Sequence, residues 1–376
     1  MDSNSNIYVI EPNMNSFPHS EINSGFLYCL QSVFNANQKY FFADKKHISS
    51  IEKIINLDKW NRKFIKVYAY SPKNFILNEI LLIFRITRVL FKLKKNDKFF
   101  LLGILPISSI FLSLMNLLLK RNIYVCLHGQ MEAYLETTEI GLTKYYYRIS
   151  KFVFKQKDAI KYIIFGESIK NGLQHLFEDK KKIIVIDQPY IYPKIIVKIP
   201  KSKPYIISVI GRADSSKNIK ELFSLLKEVK CLINNNSLIV RVLGKFNAEI
   251  PDDCKGLFKY YNDFISQKDL EEGINDSLFI VSFLDKNYYK VTPSGSFFDC
   301  VKYEKPIITL DNFFAEFYFN KYGDLGLLCS NVYQMADFIK RENQNIKQYN
   351  EFMINIQNLK KDLHTDVIAQ KLNSLL

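Results

Sequence analysis

The 376-residue sequence lacks the residue patterns that define several common protein classes. It has six cysteines and five histidines, but no C-x-x-C pair and no cysteine–histidine spacing that is typical of a zinc site. Scattered cysteines in a chain of this length indicate reduced thiols in a cytosolic protein rather than a disulfide framework. The first residues contain no basic segment followed by an apolar run, so we expect no signal peptide. We also expect no nucleic-acid partner, because zinc-finger and RNA-binding signatures are absent.

Acidic residues are few relative to basic ones. The sequence has 38 Asp and Glu against 52 Lys and Arg, a formal charge of +14. This balance favours anionic partners such as phosphates or acidic lipids, although a generally lysine-rich composition would produce it too. Residues 78–98 and 144–157 combine basic with apolar or aromatic side chains. They predict contact with an anionic membrane surface; the alternative is that their apolar faces pack on a sheet and their lysines face water.

The longest uncharged hydrophobic stretch is interrupted. Residues 99–119 are numerous enough to span a bilayer, but Gly103 and Pro106 divide the stretch. It is better interpreted as a buried strand followed by a helix, with another strand at 123–127, than as a transmembrane helix.

Strands alternate with helices in both halves of the sequence. This pattern predicts an α/β protein with two Rossmann-like, doubly wound parallel-sheet domains. Prolines at positions 189, 193, 200 and 204 mark a boundary between the two. We therefore predict a first domain at 1–190, a linker at 191–204 and a second domain at 205–345. The C-terminal helices at 346–376 are predicted to pack back toward the first domain.

The turn that follows the first strand of the second domain contains Gly211, Arg212 and Lys217. Ligands of open α/β sheets bind at the carboxyl ends of strands, so this turn lies at the expected position. The guanidinium of Arg212 and the ammonium of Lys217 would bind phosphate oxygens. The alternative is an ordinary strand–helix turn with Asn218 or Ser216 as the N-cap.

A second turn opens a helix with Ser294, Gly295 and Ser296. The N-terminus of a helix presents free backbone N–H groups and the positive end of a dipole, which is a suitable site for phosphate. Asp299 lies one turn further on and would reach a ribose hydroxyl, and Lys290 would add a phosphate contact. This spacing predicts nucleotide binding; the alternative is a helix cap with an exposed acid.

Two loops of the first domain carry candidate catalytic residues. His19 and Glu21 follow the first strand, and His128 follows a later strand. A histidine and a carboxylate on a loop at this sheet edge are suited to general base catalysis. Asn23 or Ser24 is predicted to cap the helix after the first loop. The alternatives are a polar surface loop at His19 and a structural or exposed histidine at position 128.

Two successive α/β domains, the Gly-Arg…Lys-Asn turn and the Ser-Gly-x-x-x-Asp segment before a Pro-Ile-Ile strand resemble GT-B-type glycosyltransferases, whose two Rossmann-like domains face a cleft. The resemblance implies that the second domain binds a nucleotide sugar and that the acceptor lies against the first domain. It implies that Arg212 and Lys217 hold the donor diphosphate, that Asp299 binds the ribose and that His128 lies near the transferred sugar. It implies no metal, because GT-B enzymes generally use basic residues and helix dipoles where others use a metal, and no cofactor, because the nucleotide sugar is a substrate.

The resemblance implies a metal-independent hexosyltransferase that acts on a glycan or a lipid-linked acceptor in bacterial surface polysaccharide synthesis. The expected location is the cytoplasm, at the inner face of the membrane. Val291 occupies the position where the large retaining group has a second glutamate. The stereochemical outcome therefore stays open, with His19 or Glu21 as the base of an inverting enzyme. The other interpretations are a sugar-nucleotide epimerase on the same fold and a non-catalytic membrane-surface or glycan-binding protein.

Overall fold

The computed structural model describes residues 5–17, 19–34, 38–69, 71–127, 131–135, 142–193, 204–211, 213, 217–263, 265–284, 290–341 and 346–376. The chain divides into two compact units. The first unit comprises Met1–Ile191, Val291–Pro293 and Leu363–Leu376, and the second comprises Tyr192–Lys290 and Ser294–Asp362.

The first unit is built on a seven-stranded parallel sheet with the strand order β3-β2-β1-β4-β5-β6-β7. Most of its strands are runs of buried apolar residues, as expected where helices cover both faces. The strands are β1 (Asn6–Ile10), β2 (Gln38–Ala43), β3 (Asn61–Phe64), β4 (Lys98–Leu101), β5 (Asn122–Leu127), β6 (Ile160–Phe165) and β7 (Ile183–Ile186).

Helices connect these strands. They are α1 (Ser20–Val33), α2 (Lys45–Ile51), α3 (Pro72–Leu90), α4 (Pro106–Leu119), α5 (Glu132–Leu135), α6 (Leu142–Ser150) and α7 (Glu167–Leu173), with 3₁₀ turns at 151–155, 174–176 and 180–182. From β1 the chain first adds strands on one side and then, from β4, on the other. Right-handed crossovers in opposite directions place α1 and α2 on one face of the sheet and α3, α4 and α6 on the other.

Helix α1 begins earlier than the sequence indicated. His19 is its N-cap residue and adopts a left-handed conformation with φ 62°. Asn23 and Ser24 are buried inside the helix, so the prediction that one of them caps it is wrong. The reason is tertiary, because the Asn23 amide bonds to side chains from other segments of the unit.

The second unit is built on a six-stranded parallel sheet with the order β10-β9-β8-β11-β12-β13. Its strands are β8 (Tyr205–Ile210), β9 (Leu238–Lys245), β10 (Lys259–Tyr261), β11 (Phe279–Ser282), β12 (Ile307–Leu310) and β13 (Gly326–Cys329). Its helices are α8 (Ile219–Glu228), α9 (Lys230–Asn234), α10 (Gln267–Asp276), α11 (Gly295–Lys302), α12 (Phe313–Tyr322), α13 (Val332–Arg341) and α14 (Ile346–Asp362), with a 3₁₀ turn at 252–254. The prediction of two parallel-sheet α/β domains is confirmed.

The division between the units falls inside the predicted C-terminal segment 346–376. Helix α14 packs against α11 and α12 of the second unit. The last helix, α15 (Thr365–Leu375), packs against α1 of the first unit. There Thr365 Oγ1 donates to the Tyr190 carbonyl at 2.6 Å, and Tyr28 OH donates to Asp366 at 2.9 Å.

No helix within the described ranges is both long and apolar enough to cross a membrane. The uncharged stretch 99–119 folds into the end of β4 and the whole of α4, which begins at Pro106. Proline is favoured in the first turn of a helix because its missing N–H would have no intrahelical partner there.

Candidate functional site

The sheet of the second unit reverses its strand order between β8 and β11, which are parallel neighbours. The segments that leave their carboxyl ends therefore emerge side by side at one edge of the sheet. One segment begins at Gly211, and the other leads to Ser294 and helix α11. Such a crevice, where connections diverge in opposite directions, is where ligands bind in open α/β sheets.

The turn after β8 depends on two glycines. Gly211 has φ 89° and donates its N–H to the Leu243 carbonyl at 3.0 Å. A Cβ atom on Gly244 would lie 2.2 Å from the Gly211 carbonyl oxygen, so the two backbones meet without room for a side chain. The ammonium of Lys217 lies 3.2 Å from the position of a Cβ atom on Gly211. A positive charge is thus held over the end of β8.

The other predicted residues of this turn are placed as follows. Arg212 and Ser216 lie outside the described residues. Asn218 is the N-cap residue of α8, as expected for an ordinary strand–helix turn. However, it has φ 54° and its side chain makes no capping hydrogen bond. The turn therefore brings together Gly211 and Lys217 of the predicted phosphate-binding group.

The start of α11 forms a second polar cluster. The buried Ser294 is the N-cap residue, and its Oγ accepts a hydrogen bond from the Phe297 N–H at 3.3 Å. The hydroxyls of Ser294 and the buried Ser296 are 3.1 Å apart, while Gly295 is exposed. Asp299 is partly buried in the second turn of the helix. The first backbone N–H groups of a helix have no intrahelical acceptor, so an anion at this terminus would find donors and a favourable dipole.

Lys290, which lies between β11 and α11 and directly precedes Val291, is exposed. Val291 and the two residues that follow belong to the first unit. The Val291 N–H donates to Oε1 of the buried Glu132 at 2.7 Å. Glu132, on α5, thus fixes the backbone at the position where a retaining enzyme of the resembled family would have its second glutamate.

The first unit also reverses its strand order, between β1 and β4. Glu11 is the first residue after β1 and is only 1% exposed. Its carboxylate accepts hydrogen bonds from the N–H of Asn13 at 2.8 Å, the N–H of Met14 at 3.3 Å and Nδ2 of Asn23 at 2.7 Å. Burial raises the pKa of Glu11 to about 7, although these three hydrogen bonds act to lower it.

A fully buried histidine completes this polar network. His47 Nδ1 lies 2.6 Å from the Ser16 carbonyl oxygen, and Nε2 lies 2.9 Å from Asn23 Nδ2. Because the carbonyl needs a donor and the amide nitrogen needs an acceptor, the imidazole is neutral with its proton on Nδ1. Burial lowers the pKa of His47, which agrees with a neutral imidazole. The two hydrogens of Asn23 Nδ2 join Glu11 to His47.

The network anchors the loop that carries the predicted base. Glu11 and His47 contact the loop backbone at Asn13, Met14 and Ser16, and the loop then leads to His19. Glu21 lies in the first turn of α1, where a carboxylate interacts favourably with the helix dipole. The other predicted histidine, at position 128, lies outside the described residues.

Sequence reasoning missed Glu11, His47 and the bonding partners of Asn23. One local signal was available, because Glu11 directly follows an apolar strand, the position at which the other candidates were sought. For metals, no group of three or more His, Cys, Asp or Glu in the described part of the chain could hold an ion.

No family model matches the sequence, and no curated protein matches it. Solved structures do match. Anabaena HepE in complex with UDP-glucose is 11% identical, with a TM-score of 0.67 and 98% of each chain covered. WaaG, a glycosyltransferase involved in lipopolysaccharide biosynthesis, is 9% identical, with a TM-score of 0.64 and the same coverage. TarM is 18% identical, with a TM-score of 0.57, and the match covers 79% of this chain but only 58% of TarM.

At these identities the likeness lies in the fold. The chain has the fold of the GT-B glycosyltransferases, as the sequence resemblance implied.

Proposed function

We propose that this protein is a glycosyltransferase that transfers a sugar from a nucleotide-sugar donor, bound by the second unit, to an acceptor bound by the first. The observation that carries the proposal is the edge of the second sheet. There the glycine turn with Lys217 and the segment leading to the N-terminus of α11 leave neighbouring parallel strands. A cation and oriented amides at one edge suit the diphosphate of a sugar donor.

We assign the donor site to this edge. Arg212 and Lys217 bind the diphosphate together with the amides at Ser294, Gly295 and Ser296. Asp299 binds the ribose and Lys290 adds a phosphate contact, while Gly211 shapes the turn that carries Lys217. A leaving diphosphate gains negative charge in the transition state, and fixed cations and amide dipoles stabilise that charge without a metal. HepE is described in complex with UDP-glucose and TarM in complex with UDP, so uridine donors are the first to test.

The acceptor site lies on the first unit. His19 or Glu21 acts as the base if the reaction inverts the anomeric centre, and His128 contacts the transferred hexose. The acceptor is a glycan or a lipid-linked sugar of a bacterial surface polysaccharide, and the enzyme works in the cytoplasm at the inner face of the membrane. The description of WaaG as a glycosyltransferase of lipopolysaccharide biosynthesis supports this choice of acceptor.

The test is nucleotide binding. Wild-type protein, Lys217→Ala and Lys220→Ala are heated with UDP, UDP-sugars and other nucleotides, and the shift in Tm is measured as a function of concentration. Lys220 is the matched control, because it is an exposed lysine only three residues further along, in the first turn of α8. We expect Lys217→Ala to weaken UDP binding about 10-fold or more and Lys220→Ala to leave it unchanged. Equal binding by wild type and Lys217→Ala would remove the donor-site assignment.

Product analysis separates the proposed function from the other enzyme class. A transferase joins the sugar to an acceptor and releases UDP, whereas an epimerase changes the sugar without an acceptor. A wild-type protein that binds no nucleotide at all would indicate a non-catalytic binding protein instead.

A further inference from the structure

Helices α3, α4 and α6 pack against one another on the face of the first sheet opposite to α1. The rings of Phe75 on α3 and Tyr146 on α6 stack at 5.8 Å with an interplanar angle of 25°. The three helices therefore present a single continuous outer layer, which we call the α3–α4–α6 surface.

This outer layer exposes large apolar side chains in rows. Helix α3 exposes Ile80 and Phe84, helix α4 exposes Leu114 and Leu118, and helix α6 exposes Tyr145 and Ile149. Each pair is four residues apart, so its members lie on one side of their helix. Phe84 is 63% exposed and Leu118 is 79% exposed. Contiguous exposed apolar side chains on adjacent helices are typical of an interaction surface rather than of scattered solvent-facing residues.

The charge on this surface has one sign. The three helices contain a single acidic residue, Glu79. It is buried, and its carboxylate accepts the N–H groups of Ile107 and Ser108, both at 2.8 Å, at the start of α4. Exposed cations lie on these helices or within five residues after their ends: Arg88, Lys92, Lys120, Arg148 and Lys155.

Two basic residues of the 78–98 cluster make contacts within the first unit. Arg85 donates to the Lys66 carbonyl at 2.6 Å, and the ammonium of Lys98 lies 5.5 Å from the centre of the Tyr124 ring. The structure thus separates the cations that face outward from those that serve the fold.

We propose that the α3–α4–α6 surface docks on an anionic lipid bilayer, with its apolar side chains in the headgroup region and its cations on lipid phosphates. Exposed apolar rows on three helices that carry exposed cations and no exposed acid of their own match the requirements of interfacial binding. The proposal rests on the proposed function only for its purpose, because docking would bring the enzyme to a lipid-linked acceptor. The binding itself needs neither donor nor acceptor.

The test is flotation of the full-length protein with vesicles. Vesicles of phosphatidylglycerol and phosphatidylcholine are compared with vesicles of phosphatidylcholine alone, at low and high salt. We expect binding to the anionic vesicles that weakens with salt. Reversing the charge at Arg88, Lys92 and Arg148 to Glu should weaken it about 100-fold or more. A matched control reverses Lys230, Lys259 and Lys268, which are exposed lysines of the second unit, and should bind like wild type.

The apolar contribution is tested separately. Phe84→Ser with Leu118→Ser should weaken vesicle binding about 10-fold or more. The control is Tyr333→Ser with Ile354→Ser, which removes two exposed apolar side chains of the second unit. All four altered side chains are exposed, so folding should be unaffected, and thermal unfolding checks this.

Three results would overturn the proposal. The first is no binding of wild type to anionic vesicles, which would leave an acidic protein as the partner. The second is equal binding by wild type and the surface variants. The third is a wild-type dimer that the Phe84/Leu118 variant converts to monomers, which would make the surface an interface between copies. The UDP-induced Tm shift, measured on the same variants, reports the proposed function independently: a surface variant should keep it, and Lys217→Ala should keep vesicle binding.

Discussion

The buried carboxyl of Glu11 predicts a distinctive pH dependence of stability for the first unit. Glu11 is almost fully buried, and its pKa is raised from 4.5 to about 7. In the unfolded chain the same carboxyl is solvated and keeps its ordinary pKa. The folded protein therefore holds this proton more tightly than the unfolded chain does.

The sign and size of the effect follow from proton linkage. Well below pH 4.5 the carboxyl is protonated in both states, so its burial does not change the free energy of unfolding with pH. As the pH rises to about 7, the unfolded chain loses its proton first, so the free energy of unfolding falls. The full difference corresponds to about 3 kcal/mol, of which about 2 kcal/mol falls between about pH 5 and about pH 7.5.

Comparison with Glu11→Gln isolates this effect, because glutamine does not titrate. The glutamine amide alters the hydrogen bond to Asn23, which adds a pH-independent offset to the difference in free energy of unfolding. His47 is present in both proteins, so its own titration cancels in that difference. The stability of Glu11→Gln relative to wild type should therefore rise by about 2 kcal/mol between about pH 5 and about pH 7.5. Trp60 is the only tryptophan and is buried in the first unit, so its fluorescence during urea unfolding reports on that unit.

The control is Glu178→Gln, at an exposed glutamate of the same unit. Its stability difference from wild type should change little over the same pH range. A flat pH profile for the difference between wild type and Glu11→Gln would refute the reasoning, because it would mean that the carboxyl is no harder to ionise in the folded protein.

Two further predictions concern the second sheet and a buried ion pair. Gly244→Ala places a Cβ atom 2.2 Å from the Gly211 carbonyl oxygen, so the turn must shift; we expect a loss of about 1 to 3 kcal/mol in urea unfolding and weaker UDP binding by thermal shift. Lys182→Met leaves the buried carboxylate of Asp158 without its cation, and should lower the free energy of unfolding by about 3 kcal/mol. Adding Asp158→Asn should restore part of that loss, and unfolding of the double variant measures how much.

The parallel sheets were predictable from sequence because each buried strand is a local signal. The predicted strand at 123–127 agrees with β5 to within one residue, and the predicted start of the second domain at 205 coincides with the first residue of β8. Helix α12 was missed, although Asn312 caps it through the Ala315 N–H at 3.0 Å and Gly323 ends it with φ 81°. Its aromatic residues occur on every side of the helix, so they form no stripe, and the two end signals alone did not reveal it.

The candidate site was predictable only where the signal is local. The Ser294 cap and the Gly211 turn each lie within a few residues of a strand or helix end, and a sequence pattern can show them. The Glu11 network cannot be read in this way. Asn23 follows Glu11 by 12 residues and precedes His47 by 24, and no spacing rule connects them. Their meeting depends on the packing of α1 and α2 beside β1.

The chemistry of the Glu11 network also explains why the path of the loop after β1 is hard to predict from sequence. Glu11 and His47 bind the loop through main-chain atoms, namely the N–H groups of Asn13 and Met14 and the carbonyl of Ser16. Any residue except proline supplies the same N–H, so the side chains at these positions do not determine the path of the loop. Loop geometry thus rests on two buried side chains from outside the loop tip. The side chains of Asn13, Met14 and Ser16 take no part in these three bonds, so a substitution there can leave the anchoring of the loop unchanged.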